Sequence, residues 1–186
     1  LICRKIYLEL NPPGSGDALA DRERILRALR PQYGNVIMSI DKLKSSYKLL
    51  RNTDWKLTVT IVNNGYAWEI VRIEQGDTTD KNYAYAADLG STTVVMQLVD
   101  LNSGKVIGEE SIFNHQISFG DDILSRIIYA KDNDKHLKEI QECTLQNFNE
   151  LMEILHSKTG IPEEECGVLI IGGNTTMTHF LFGIDP

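Results

Sequence analysis

The chain has 186 residues, 42% of them hydrophobic and 24% charged, with a formal net charge of −7. That apolar share is too high for a disordered or low-complexity chain, and the length allows one medium domain or two small ones. No apolar run approaches the roughly 20 residues that span a bilayer, and Leu1-Ile2-Cys3-Arg4-Lys5 lacks the pattern of a signal peptide. The acidic balance argues against binding to a phosphate backbone, so no membrane and no nucleic-acid partner is expected. Cys3, Cys143 and Cys166 are widely spaced without a C-x-x-C pair. They suggest neither a disulfide scaffold nor a closed zinc site, and a reducing, cytoplasmic setting is expected. A start without Met and an end at Pro186, just after an expected helix, read as a piece of a longer protein.

Charge divides the chain. Residues 1–82 hold 13 Lys plus Arg against 10 Asp plus Glu, whereas residues 83–186 hold 6 against 16. This shift lies beside the polar stretch Gln75–Asn82 and predicts two units meeting near residue 82.

In the first unit, Ile6–Leu10 reads as extended, and Asn11-Pro12-Pro13-Gly14-Ser15-Gly16 stops any regular element. Asp17 is placed to cap an amphipathic helix carrying Leu19, Ile25, Leu26 and Leu29, which Pro31 should end. A strand is predicted over 36–40 and a helix over 41–50. Leu57, Val59 and Ile61 alternate with Thr58 and Thr60 as in a half-buried strand. Asn64-Gly65 predicts a two-residue hairpin, returning the chain over 67–73.

The second unit predicts the order β-β-β-α-α-β-α. Its three strands form a meander through Phe113. One helix carries an apolar stripe of Ile123, Leu124, Ile127 and Ile128, and another runs from Leu137 to a stop at Gly160. Val168-Leu169-Ile170-Ile171 reads as a buried strand, followed by a turn at Gly172-Gly173-Asn174 and a last helix through Phe182.

Three polar clusters can carry chemistry. In Asp88-Leu89-Gly90-Ser91-Thr92-Thr93, Gly90 permits a tight turn, successive backbone donors and three hydroxyls can ring a phosphate, and Asp88 can hold hydrated Mg²⁺. A plain polar hairpin turn is the alternative. In the second cluster, Gln116 and Asp121 can position a water or the metal, and Arg126 can reach phosphate or pair with a carboxylate. The alternative there is capping by Asp121 or Asp122, with an ion pair to Arg126. Gly173, Asn174 and Thr175 lie where a strand ends and a helix starts, a common ligand position in α/β sheets and also an ordinary N-cap. The four histidines lack zinc-helix spacing, and Glu163-Glu164-Glu165 reads as a solvated helix start.

A loop of this kind between the first two strands of a β-β-β-α unit resembles the ribonuclease H-like ATPase half-domain shared by sugar and acetate kinases, Hsp70 chaperones and actin. Within that superfamily the chain is similar to the reductive activators of corrinoid proteins. The motifs are Arg4–Pro13 with Arg22, Leu26 and Leu29; Ala87–Val94; Asn114-His115-Gln116 with Phe119–Ile127; and Gly173-Asn174-Thr175-Thr176-Met177.

The resemblance implies an α/β and α+β architecture: a linker with a helix over 1–34, a small α+β middle domain over 35–82, and the truncated first part of an actin/Hsp70/sugar-kinase-like ATPase domain over 83–186. It implies ATP and Mg²⁺ as cofactors, with Asp88, Gly90, Ser91, Thr92 and Thr93 on the nucleotide phosphates and metal. It further implies a corrinoid protein of a methyltransferase system as partner, with a homodimer allowed. A 2Fe-2S cluster would reside in a domain outside this chain, and the chain alone is not expected to hydrolyse ATP. A small-molecule kinase, a dehydratase-activator ATPase and a non-enzymatic binding module are the other readings.

Overall fold

The computed structural model describes residues 2–186; Leu1, the first residue of the expected linker, lies outside the described residues. The elements are β1 (Cys3–Glu9), α1 (Asp21–Tyr33), β2 (Val36–Ile37), α2 (Ile40–Asn52), β3 (Lys56–Asn63), β4 (Trp68–Gln75), β5 (Tyr83–Leu89), β6 (Thr93–Asp100), β7 (Lys105–Phe113), α3 (Ile123–Asp132), α4 (Asp134–Thr159), β8 (Cys166–Gly173) and α5 (Thr175–Phe182). They form two compact units: residues to Tyr83 together with Leu101–Ser103, and Ala84–Asp100 together with Gly104–Pro186.

The first unit is α+β. Its sheet has the order β1-β3-β4-β2, with β1 antiparallel to β3 over the full register Cys3↔Val62 to Glu9↔Lys56. Leu8, Ile25, Leu26, Leu29, Val36, Leu50, Leu57, Val59, Ile61 and Ile70 share one core. Residues expected as a separate linker are therefore built into the same sheet and core as residues 36–75, and position 34 is no boundary. Gly34 only ends α1, its N–H donating to the Arg30 carbonyl.

Local chemistry explains the other departures in this unit. Asp17 does not cap α1; its carboxylate accepts from Leu19 N at 2.8 Å and pairs with Arg24. Pro31 lies inside the helix, which runs on to Tyr33 because proline's φ suits a helix even though its N–H is missing. The β3–β4 turn spans four residues, since Asn63 pairs with Trp68 and the Asn64 side chain accepts from Tyr66 N and Ala67 N. Thr58 and Thr60 are buried, because β3 is an inner strand whose polar face is covered; Thr58 Oγ1 donates to Gly76 O at 2.7 Å.

The second unit keeps the expected element order. Its sheet runs β7-β6-β5-β8, with β6 and β7 antiparallel from Thr93↔Phe113 to Asp100↔Lys105. Three consecutive strands, two helices and a fourth strand beside the first make the opening half of a ribonuclease H-like fold. Helix α4 packs on β6 and β7, burying Ile140, Phe148, Leu151 and Leu155, and stops at Gly160 in the left-handed region. Two expectations fail here. The run Val168–Ile171 is not fully buried, because β8 ends the sheet and leaves Ile170 48% exposed. Helix α3 turns Leu124 (65% exposed) and Ile128 (64%) outward and buries Arg126 and Ala130 instead. No helix among the described residues is long and apolar enough to cross a membrane.

Candidate phosphate-binding site

The loop between β5 and β6 is shaped from beneath. A Cβ on Gly90 would stand 2.5 Å from the Thr93 carbonyl oxygen, so the turn closes only around glycine. Three loop carbonyls accept bonds from groups elsewhere in the unit: Gly90 O from Asn114 Nδ2 (2.8 Å), Ser91 O from Arg126 Nη1 (2.7 Å) and Thr92 O from Asn114 N (2.8 Å). In a planar trans peptide the carbonyl and the following N–H point in opposite directions. With the Gly90 and Ser91 carbonyls held inward, the N–H groups of Ser91 and Thr92 are directed away from the buried side chains. A row of outward donors is what an anionic ligand needs.

The groups beneath the loop form one buried network. Asn114 is fully buried, and its Oδ1 accepts from Gln116 N (3.0 Å) and Asn147 Nδ2 (3.1 Å). Asn147 Oδ1 in turn accepts from His115 N at 3.1 Å. Gln116 donates from Nε2 to Thr144 Oγ1 at 2.6 Å, and its Oε1 accepts from Arg126 at 3.4 Å. Arg126, 1% exposed, also donates from Nε to Gly120 O at 2.8 Å. Burial lowers the Arg126 pKa from its ordinary value, against the charges of Cys143, Asp122 and Asp121, which raise it.

Each expected site residue has a definite place. Asp88 is exposed beside the loop and, with Ala86, Ala87, Val95, Gln97, Ile170 and Gly172, lines a cleft of about 400 Å³. Ser91 and Thr93 are half-buried and Thr92 is exposed. The second turn lies against the first: a Cβ on Gly173 would stand 3.1 Å from Leu89 O, so glycine permits the close approach. Asn174 caps α5, accepting from Met177 N at 3.0 Å, and Thr175 opens that helix with its side chain exposed. Because one guanidinium bonds both Gly120 and Ser91, the Gly120–Asp121 turn also sits at the loop, with Asp121 exposed.

Gln116 and Arg126 stand differently from expectation. Gln116 is fully buried with its amide committed to Thr144 and Arg126, so it faces the interior, where no attacking water would sit. Arg126 reaches neither solvent nor a carboxylate; its bonds go to carbonyl oxygens and the Gln116 amide. Asp122 is the cap of α3, its carboxylate held below the usual range by Ser125 N and Oγ. Asn114 belongs to the Asn114-His115-Gln116 motif read from sequence, whereas Thr144 and Asn147 were not singled out there. A signal existed, since Thr144 and Asn147 lie on the stripe of α4 that carries Ile140, Cys143, Phe148 and Leu151.

Comparison with known proteins gives a consistent set of matches. The family model described as the RACo linker region matches residues 2–80, and that described as the RACo middle region matches residues 83–186. The label "middle region" thus falls on the stretch that the sequence resemblance gave to an ATPase domain. The corrinoid activation enzyme RamQ of Eubacterium limosum is 34% identical over 104 residues, 56% of this chain and 18% of RamQ. A solved structure titled "Reductive activator for corrinoid,iron-sulfur protein" superimposes with a TM-score of 0.88 at 34% identity, covering 100% of this chain and 30% of that one. A Ppx/GppA family member from Aquifex aeolicus matches at 18% identity over 50% of this chain and 35% of its own, but its TM-score of 0.18 carries no argument.

Proposed function

The chain belongs to the RACo family, the reductive activators of corrinoid proteins, and from that premise we propose that it is part of an ATP-dependent activator restoring Co(I) in a corrinoid protein. The second unit supplies part of the nucleotide site. One observation carries this reading: the Gly90 and Ser91 carbonyls are bonded inward, which turns the Ser91 and Thr92 N–H groups outward beside the exposed Asp88.

These residues fit a magnesium nucleotide. Ser91, Thr92 and Thr93 would hold phosphate oxygens through backbone donors and hydroxyls, with Gly173, Asn174 and Thr175 on the adjoining turn. Asp88 would hold hydrated Mg²⁺. Among the described residues no group of three His, Cys, Asp or Glu side chains could bind a metal, so phosphates and waters complete the shell, as is usual for Mg²⁺. Asp121, exposed at the neighbouring turn, is the group left to orient water. ATP hydrolysis, when nucleotide is bound, supplies the free energy for an uphill electron transfer, and it does so only through differential binding to two protein states.

The residues do not fit an iron-sulfur cluster. A 2Fe-2S centre takes four cysteine thiolates, whereas this chain has three, of which Cys3 and Cys143 are buried in different units. The electron donor in this reading is a 2Fe-2S domain outside the chain, passing one electron to Co(II). The partner is a corrinoid protein of a methyltransferase system, with a homodimer of the activator allowed.

The test uses the full-length protein. Asp88→Ala should abolish Mg-ATP binding in calorimetry and the ATP dependence of Co(II) reduction followed by visible absorption. Unchanged ATP dependence would overturn the assignment of the loop. A 2Fe-2S spectrum from the anaerobically purified protein supports the activator, while a 4Fe-4S spectrum or iron-free protein would move the reading to a dehydratase activator or a kinase. Sedimentation reads the dimer.

A further inference from the structure

We propose that Arg126 is the buried counter-charge of the phosphate loop, a positioning residue that meets the ligand's negative charge through the Ser91 peptide and never touches it. The inference rests on the nucleotide reading above and deepens it by naming the source of the positive field.

Four observations lead there. Residues 83–186 carry six basic residues against 16 acidic ones, so an anionic ligand approaches a repulsive unit. Neither Asp88–Thr93 nor Gly172–Thr176 contains a Lys or Arg. Arg126 is the one arginine of residues 83–186, and it is 1% exposed with Nη1 at 2.7 Å from Ser91 O. Finally, among the described residues no carboxylate lies within ion-pairing distance of it; its hydrogen-bond partners are Gly120 O, Ser91 O and Gln116 Oε1.

A buried cation without a carboxylate carries a large desolvation cost, which carbonyl dipoles offset only in part. An anion on the outer side of the Ser91 peptide completes the compensation. The guanidinium then lies one peptide behind the ligand, where low local dielectric keeps its field strong. A lysine there would keep the charge but lose the fork that bonds Gly120 and Ser91 together.

The experiment is calorimetric titration of the full-length protein with Mg-ATP, Mg-ADP and adenosine at pH 7.5, melting temperatures confirming the fold of each variant. Arg126→Met should weaken Mg-ATP by about 10- to 100-fold, the range expected for losing a charge-assisted interaction. It should weaken Mg-ADP less and leave adenosine unchanged, while Arg126→Lys, which keeps the charge but not the fork, should lose clearly less Mg-ATP affinity than Arg126→Met. Gln116→Glu places a carboxylate where Oε1 now lies 3.4 Å from Arg126, neutralising the charge with the arginine in place. It should reproduce the loss of Mg-ATP affinity, which keeps the idea testable if Arg126→Met does not fold.

Equal losses for Mg-ATP and adenosine, equal losses for the Lys and Met variants, or full Mg-ATP affinity in Gln116→Glu would each show a merely structural arginine and overturn the proposal. Failure of the wild-type protein to bind Mg-ATP is a different result: it removes the nucleotide reading itself, and this inference with it.

Discussion

Replacing Asn114 with alanine tests whether the buried network carries the loop. The side chain is fully buried and, besides a weak contact from Nδ2 to Met177 Sδ at 3.8 Å, makes three bonds with nitrogen and oxygen partners: to Gly90 O at 2.8 Å, from Gln116 N at 3.0 Å and from Asn147 Nδ2 at 3.1 Å. Asn114→Ala deletes all three and strands a carbonyl, an amide N–H and a side-chain amide inside the unit. At about 1 kcal/mol for each bond the loss is about 3 kcal/mol, and unsatisfied groups raise it where water cannot enter. That is a large part of the roughly 5–15 kcal/mol available to a domain. Urea unfolding read by far-UV circular dichroism measures it. Fluorescence supplies an internal reference, because Trp55 and Trp68 both belong to the first unit. A second variant, Asn147→Ala, removes one bond shared with Asn114, so the double variant should lose less than the sum of the singles. A loss below about 1 kcal/mol for Asn114→Ala would refute the reasoning, since it would mean that the three bonds do not support the unit.

Two further expectations follow from the same region. Gly90→Ala puts a methyl 2.5 Å from a backbone oxygen and should destabilise by about 1–3 kcal/mol, whereas Gly172→Ala, whose nearest atom would be 3.9 Å away, should stay within about 0.5 kcal/mol in the same urea assay. The Asp122 carboxylate is held below its ordinary pKa of 3.8 by the Ser125 N–H and hydroxyl; its contribution is therefore complete above that value and disappears as pH falls through the lower folded pKa. Stability measured from pH 5 to pH 2 should show that dependence reduced in Asp122→Asn, which still accepts from Ser125 N, and an unchanged profile would remove the cap from the account.

The sequence made the loop legible and hid what holds it. Asp88 and Gly90 stand out because a strand ends and another begins within a few residues, and the structure uses Gly90 for the close approach that such a turn requires. Helix α3 shows the opposite case. Ile123, Leu124, Ile127 and Ile128 form its most apolar stripe, so hydrophobic periodicity turns that stripe inward, yet the guanidinium bonds to Ser91 and Gly120 turn Arg126 inward instead. Periodicity weighs transfer free energy and does not see loop carbonyls that need donors from a distant segment. The same blindness made Thr58 and Thr60 look like the wet face of β3, because the order β1-β3-β4 that makes β3 an inner strand rests on pairings remote in sequence. The division near residue 82 was visible through charge. The absence of a division at 34 was not, since joining β1 to β3 takes contacts across about fifty residues, from Glu9↔Lys56 to Cys3↔Val62.

Why a small unit should bury Asn114, Gln116, Arg126, Thr144 and Asn147 together is a question of specificity against stability. An apolar set of similar volume would hold the elements at least as well, because bonds among buried polar groups mostly repay their own desolvation. What an apolar set cannot do is orient a peptide. Two of these five side chains end on loop carbonyls, and the others hold those two in place. Among the described residues, the buried side-chain atoms without a partner are Arg24 Nε and Tyr85 OH, neither of them in this network. A fully satisfied network with one destination selects a single loop conformation. Converting the five together to Leu, Leu, Met, Val and Leu should therefore leave the unfolding midpoint near or above that of the native chain while abolishing Mg-ATP binding by the full-length protein. Retained nucleotide affinity in that variant would show that the loop keeps its shape through Gly90 and the β5–β6 hairpin alone, and that the polar interior serves packing.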